Sequence, residues 1–388
     1  MLNNYMAVLT LHKPLDDMSS LIKYRNHGSL PIGGRYKIID FHLSNVTNAG
    51  IINVAIVGNE RNNSTLVEHI GTGASWDLDR KNNGITFLDK YNESSYSNRI
   101  EILENNLKYF LRSKEKNIVI IDTSMIYNID LKKVIRDHES DNRDVTMVYK
   151  KVRDDNFYQC DTMEMDSDNR MMSHGKNSNF TEEFNLSAGI IIISKALLIK
   201  CVGEDISKNN YSTFKDAILH NMDNLNIKCH EFKGLLYSIN SVIDYHRFNL
   251  SLLNPKVKNE IFNCERQIST RRKDTPSSFY EKGCEVKNSL ISNGCQIKGT
   301  VKNSVLSRRV IVDKGAVVEN CVIMQRCHIK TGASLKNIIL DVENTIEAHE
   351  VLVSSPSYPF VLTKGNTLTS KLWNKLIEGD LENFVNKI

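Results

Sequence analysis

A carboxylate at the tip of an apolar strand can hold a divalent cation, and a glycine pair beside cations can cradle an anion. This chain offers one of each. The run Asn117–Ile118–Val119–Ile120–Ile121–Asp122 ends in a carboxylate before Thr123, Ser124 and Met125. A surface strand end explains Asp122 equally well. Gly33–Gly34 precedes Arg35–Tyr36–Lys37–Ile38–Ile39–Asp40–Phe41. A turn is its plainer reading, with Arg35 and Lys37 on the rim. His69–Ile70–Gly71–Thr72–Gly73 leads to Trp76–Asp77–Leu78–Asp79–Arg80, a glycine-bearing loop with a charged, aromatic end. The order of Ser, His and Asp supports no nucleophilic triad, and the carboxylate spacing supports no acid–base pair. The first apolar run continues into Leu9–Thr10–Leu11–His12–Lys13–Pro14, without the glycines a phosphate loop needs.

Such groups work only where a scaffold holds them, and parallel α/β sheets present ligands at the carboxyl ends of their strands. Strand-like runs at Met6–Leu11, Ile52–Val57, Asn117–Asp122, Thr146–Lys150, Ser187–Ser194 and Ile227–Phe232 alternate with helical spacing at Ile100–Arg112 and Leu131–His138. That alternation predicts an α/β domain with a mostly parallel sheet over residues 1–255. The polar stretch Asp154–Glu183 reads as a long loop or hairpin, with Met163, Met165, Met171 and Met172 there for packing. Residues 256–283, basic and carrying Pro276, Ser277 and Ser278, read as a linker.

From residue 284 to 388 the texture changes. Val305, Ile311, Val317, Ile323, Ile329 and Leu335 recur at steps of six, preceded by the small residues Gly315, Cys321, Cys327 and Ala333. Neither a helix nor an alternating sheet gives that period, whereas a left-handed parallel β-helix does. The aliphatics are expected to point inward, and Cys321 and Cys327 to pack beside them.

Composition agrees with an ordinary folded protein. The 388 residues carry 50 Lys+Arg and 46 Asp+Glu, a net charge of +4, with 25% charged and 40% hydrophobic residues. Those values exclude a disordered tail, a coiled-coil rod and a collagen-like chain. Interspersed charges give no footprint for nucleic acid. No apolar stretch approaches membrane-span length. The eight cysteines show neither paired spacing nor a Cys/His metal pattern. Without a basic-then-apolar leader, the chain is expected to be cytoplasmic with reduced thiols.

Taken together, these segments resemble the bacterial glucose-1-phosphate adenylyltransferase (ADP-glucose pyrophosphorylase) family over nearly the whole chain. Gly33–Phe41 with Leu43–Ser44–Asn45 and Asn48–Ala49–Gly50–Ile51 is similar to the family's GGKFRIIDFALSN and NSGI segments. His69–Ile70–Gly71 with Trp76–Arg80 is similar to its HIG and WDLDR segments, and Ser187–Ile190 to its SMGI. Asn288–Ser292 with Gly294–Cys295 opens a similar β-helix.

The resemblance implies a nucleotidyltransferase-like domain followed by the β-helix, but also a coordinated loss at the reaction centre. The family's glycine-rich phosphate loop falls on Leu9–Pro14, including His12, and its following lysine on His27. Its GTADA loop falls on Ser97–Glu101, and its two metal-ligating aspartates fall on Ser124 and Ser238. Lys176 is the nearest counterpart of the lysine that grips the sugar phosphate. A hydroxyl is a poor substitute for a carboxylate in holding Mg²⁺, which phosphoryl transfer needs to offset the repulsion between anions.

The pattern therefore resembles the family's non-catalytic, GlgD-type regulatory subunits. It implies no cofactor for this chain and a hetero-tetramer with a catalytic paralogue that uses Mg²⁺ and ATP. Arg35 matches a position near the family's phosphorylated-effector site, implying a sugar-phosphate effector; a turn cap or surface ion pair is the alternative. Two other readings stay open at this stage. One is an active nucleotidyltransferase with relocated ligands such as Asp122 and Asp244; the other is a stand-alone sugar-nucleotide or anion-binding protein.

Overall fold

The computed structural model describes residues 4–11, 18–58, 64–88, 107–141, 143–153, 157, 159–177, 183–208, 213–262 and 265–369. His12 and Ser97–Glu101 lie outside them. In the first domain, the apolar runs become the strands Gly84–Leu88, Asn53–Val57, Tyr5–Thr10 and Asn117–Asp122, side by side and parallel. Tyr5–Leu9 are wholly buried, as strands covered on both faces must be. Phe184–Ser194 then runs antiparallel to Asn117–Asp122 and to Val145–Val152, which pairs in parallel with Ile227–Glu231. The parallel core is thus extended by antiparallel strands on one side. The stretch expected as a loop or hairpin forms the hairpin Asp161–Met165 and Met171–Lys176. Met163 and Met171 pack into the core, whereas Met172 is 60% exposed.

Of the expected helix Ile100–Arg112, the described part is helical over Leu107–Arg112; the other is helical over Leu131–Ser140. The stretch 256–283 is more ordered than a linker. It opens on the helix Pro255–Ile261, capped by Asn254, and ends in the strand Phe279–Tyr280, which pairs with Gln296–Ile297. Coiling therefore starts ahead of residue 284. Proline at the first helical position and asparagine just before it are helix-start signals, which the basic composition of the segment obscures.

The C-terminal domain is the left-handed β-helix: three parallel sheets whose strands stack coil upon coil up to Thr367–Leu368. The inward ladder is Leu306, Val312, Val318, Ile323, Ile329, Leu335 and Leu340, all in one buried cluster. Its steps are six, six and five, so each of these coils takes 17 residues. Ile323, Ile329 and Leu335 point inward as expected. Ile311 and Val317 do not: they are half-buried on the outer side, beside the inward Val312 and Val318. Adjacent aliphatics in short strands let an unbroken six-residue count drift by one place at the shortened corner. Cys321 and Cys327 are fully buried in this core, and the seven described cysteines are free.

One β-helix face does not meet solvent. Val322, Met324, Ile339 and Val342 pack with Phe41, Tyr245, Phe248 and Leu252 of the first domain in a shared apolar cluster. His246 Nε2 lies 2.8 Å from the carbonyl oxygen of Asn320 across the same seam. The domains are thereby locked together around the segment 25–41.

Candidate functional site

The strand ends build the first candidate site. Parallel pairing sets Thr10 opposite Asp122, and Thr10 Oγ1 lies 3.4 Å from Asp122 Oδ2. Asp122 Oδ1 accepts from Ser124 N–H at 2.9 Å, turning the chain at the tip. Leu236–Ser238 pairs antiparallel with Met125–Tyr127, placing Ser238 opposite Met125, and Ile239 N–H donates to Ser124 O at 3.2 Å. Sheet topology therefore brings together the two serines that are 114 positions apart in the chain.

Beside Asp122 and Ser124 lies a cavity of about 360 Å³, lined also by Cys160, Lys176 and Asn240 among others, while Ser238 lines a separate pocket. Cys160 Sγ sits 3.7 Å from Ser238 Oγ and accepts from Asn240 Nδ2 at 3.5 Å. Burial pushes the Cys160 thiol up to about 11, so it stays protonated and is no thiolate ligand. No group of three His, Cys, Asp or Glu side chains among the described residues is arranged to hold a metal ion. Of the carboxylates on the lining, Asp161 is paired with Lys215 and Asp216 accepts from Thr213, while Ser124 and Ser238 bring hydroxyls where Mg²⁺, a hard cation, takes carboxylate oxygens. Asp244 lines a different cavity, where it sits in the first turn of the helix Val242–Ser251.

His27 occupies the position matched to the family's lysine, and it has become structural. It is buried, with Nε2 2.7 Å from Ile239 O. The bond ties the segment 27–29 to the strand that carries Ser238. Two residues earlier, Arg25 Nη2 donates to Asp341 Oδ1 of the β-helix at 2.7 Å.

The second candidate site lies between the domains. Gly33 and Gly34 adopt positive φ values of 56° and 73°, closing the hairpin of Pro31–Ile32 and Tyr36–Lys37. A Cβ at Gly34 would stand 2.7 Å from Leu306 O, so glycine lets the hairpin tip press against the β-helix. That docking sets Arg35 beside Arg308 on the lining of a cavity of about 220 Å³. A larger neighbouring cavity of about 620 Å³ shares Arg35, Tyr36, Lys273 and Arg308.

The first cavity is strongly cationic. Arg25 is paired with Asp341, and Arg326 with Glu343. Arg35, Lys37, Lys273 and Arg308 have no carboxylate partner among the described residues. Lys37 Nζ instead donates to Thr65 O at 3.1 Å, while Thr65 Oγ1 on the same lining is buried without a hydrogen bond. Burial, only partly offset by Asp40, pushes Lys37 down to about 8. Burial and then the Arg35 charge lower Arg308, and burial and then Arg308 lower Lys273. Clustered cations that depress one another are poised for an anion.

Asp40, not itself on the lining, holds Lys37 and His69 of this cavity in place. Its Oδ2 accepts from Lys37 N–H at 2.9 Å, capping the helix Ile38–Asn48, and its Oδ1 lies 2.6 Å from His69 Nε2. Ser124, Ser238 and Lys176 are thus grouped at the strand tips, Arg35 lies at the domain seam, and His27 braces the scaffold between them. Lys37 was legible only as a rim residue. Lys273, Arg308 and Cys160 carried no usable signal, because surface cations and a lone cysteine look alike until the domains dock.

A Nucleotidyl transferase family model matches residues 21–181, and a GlmU-like, C-terminal hexapeptide model matches residues 276–355. The chain is 30% identical to the glycogen biosynthesis protein GlgD of Bacillus subtilis over 387 residues, covering 99% of this chain and 100% of that protein. It is 29% identical to a glucose-1-phosphate adenylyltransferase of Clostridium perfringens over 309 residues, 78% of each chain. A glucose-1-phosphate adenylyltransferase of Bacillus cytotoxicus is 28% identical over 360 residues, 90% of this chain and 95% of that one.

Proposed function

The chain belongs to the family of the glycogen biosynthesis protein GlgD, and we propose that it acts there as a non-catalytic regulatory subunit of ADP-glucose pyrophosphorylase. One observation carries the reading. Ser124 and Ser238 are brought together as the two metal-ligand positions would be, yet both present hydroxyls, and that of Ser238 packs against the protonated Cys160 thiol. With hydroxyls at both of those positions, Mg²⁺ is poorly held there and the charge repulsion between attacking and departing phosphates is left uncompensated. The catalytic paralogue supplies the Mg²⁺ and ATP chemistry, and the two chains assemble as a hetero-oligomer in the cytoplasm. Among the described residues no helix is long and apolar enough to cross a membrane.

What this chain contributes is anion sensing. Arg35, with Lys37, Lys273 and Arg308, forms the cationic cavity at the domain seam. Arg35 N–H closes the hairpin turn on Ile32 O at 3.2 Å, while its guanidinium has no carboxylate partner among the described residues and lies 5.8 Å from the neighbouring Tyr36 ring. A sugar phosphate held there bridges the first domain and the β-helix, favouring one arrangement of the subunit.

The isolated chain, given ATP, glucose-1-phosphate and Mg²⁺, is expected to form no ADP-glucose. Co-expressed with the paralogue, it should assemble and confer an effector response that Arg35→Ala weakens several-fold. Robust turnover by the isolated chain, abolished by Asp122→Asn, would overturn the non-catalytic reading. An unchanged response from an assembled Arg35→Ala complex would remove Arg35 from the sensing route.

A further inference from the structure

We propose that the pocket behind the strand Leu236–Ser238 is a second ligand site, separate from the cationic cavity at the domain seam, and that it takes a small aromatic anion: one ring bearing a phosphate or carboxylate. The pocket has a volume of about 340 Å³. It is bounded by the end of the strand Val145–Val152, the strand Leu236–Ser238 and the helix Val242–Ser251. Its size lies near the lower end of ligand pockets, about 300–1,000 Å³, and suits a single substituted ring.

The walls and the rim ask for different things. Phe157, Leu236 and Phe248 are buried apolar walls, and the Tyr237 and Phe248 rings lie 4.8 Å apart between centroids. Apolar walls with aromatic faces favour a ring. At the mouth, Lys151, Arg153 and Arg247 are exposed and have no carboxylate partner among the described residues. Their neighbour Lys150 is already committed: its Nζ donates to Gly234 O at 2.8 Å and braces the wall. Arg247 also acts electrostatically on Asp244 of the same pocket, so one carboxylate faces three cations around an apolar opening, an excess of positive charge that favours an anionic group at the rim.

Asp244 fixes the orientation. It lines the same pocket, and burial, opposed by Ser241 and Arg247, raises its carboxyl from the ordinary value. A carboxylate inside repels a second anion, so the charged end stays at the mouth and the ring enters. A hydroxyl or amino group on that ring can donate to Asp244. The occupant touches the strand carrying Ser238 and the helix whose His246 is bonded to the β-helix, so its presence bears on both. The inference does not depend on the regulatory reading.

The test is calorimetric titration of the full chain with phenyl phosphate, using inorganic phosphate and phenol as its two halves. Phenyl phosphate should bind at least tenfold more tightly than either half. Arg247→Ala and Arg153→Ala, both at exposed positions, should each weaken it threefold or more, whereas in Arg35→Ala, which weakens anion binding at the seam cavity, the tenfold preference for phenyl phosphate over inorganic phosphate should persist. 4-Hydroxyphenyl phosphate should bind more tightly than phenyl phosphate, a difference that Asp244→Ala, which leaves no acceptor, removes. Binding no tighter than that of inorganic phosphate overturns the proposal. So does binding lost in Arg35→Ala but kept in Arg153→Ala/Arg247→Ala, which assigns the anion to the seam cavity.

Discussion

Arg25 Nη2 and Asp341 Oδ1 lie 2.7 Å apart with side-chain exposures of 7% and 1%, a buried ion pair that joins the first domain to the β-helix. Asp341 Oδ1 also accepts from Val342 N–H at 2.6 Å, and its Oδ2 has no partner. Removing one member strands the other charge in the interior, which typically costs about 3–5 kcal/mol. Arg25→Ala should therefore lower the denaturation midpoint strongly. Arg25→Met with Asp341→Leu should recover most of that loss, because two apolar side chains replace two desolvated charges. Additive losses in the double variant would show that packing, not charge, dominates the seam.

Gly34 supplies a second seam test. Its φ of 73° disfavours any side chain, and a Cβ there would meet Leu306 O and Ser292 Oγ at 2.7 Å each. Left-handed backbone alone costs an L-residue about 1–2 kcal/mol. Gly34→Ala should destabilise by at least that amount and also weaken anion binding at Arg35, since the hairpin tip must retreat from the β-helix. Gly283→Ala, where a Cβ meets nothing within 4 Å at a φ of 93°, is the control for backbone strain alone. Equal losses of stability, with anion binding intact in Gly34→Ala, would mean that close approach at Gly34 contributes nothing.

Much of this architecture could be read from residue order, because local patterns report local geometry. The strand Asn117–Asp122 has the expected bounds, and the six-residue ladder announced the β-helix. The phase of the ladder was not legible at Ile311 and Val317, since Val312 and Val318 are equally apolar and a shortened corner leaves no mark in a simple count. The helix Pro255–Ile261 was hidden in a basic, polar stretch. Resemblance located Ser124 and Ser238, but the contact of Ser238 with Cys160 joins positions 78 apart that no local pattern links. The seam cavity was least visible: Arg35 and Arg308 are 273 positions apart and become neighbours only when the hairpin docks.

His42 should make stability depend on pH. It is fully buried against Tyr127, and both of its ring nitrogens lack hydrogen bonds. Burial pushes it down to about 4, against an unfolded value of 6.5. Between those values the unfolded chain binds a proton that the folded chain refuses, so stability falls as pH drops from about 7 towards 4. The contribution is on the order of 3 kcal/mol when the shift is converted at about 1.4 kcal/mol per pH unit. His42→Leu should remove this slope and raise the midpoint at neutral pH, because an unsatisfied buried polar group costs about 1–3 kcal/mol. Urea titrations at pH 7.5 and 5 on both proteins decide it; parallel pH dependences would assign the effect to the other buried histidines.

Lys37 should give the seam cavity its own pH dependence, in the opposite direction. Its pKa is lowered to about 8, first by burial and then by the cations Lys273 and Arg25, against the opposing pull of Asp40. Below that value the ammonium adds to the charge of Arg35 and Arg308; above it, an anion meets one cation fewer. Sulfate is a suitable probe, since its own charge does not change between pH 6.5 and 9.5. Its affinity should fall several-fold across that range, and the remaining arginines should preserve a measurable basal level. Lys37→Met should bind sulfate more weakly at pH 7 and lose the part of the decline centred near pH 8. Binding also runs the linkage backwards: sulfate stabilises the ammonium, so complex formation near pH 8 should take up protons, visible as a buffer-dependent enthalpy. A decline identical in wild type and Lys37→Met would place the titrating group elsewhere on the lining, with Lys273 the next residue to replace.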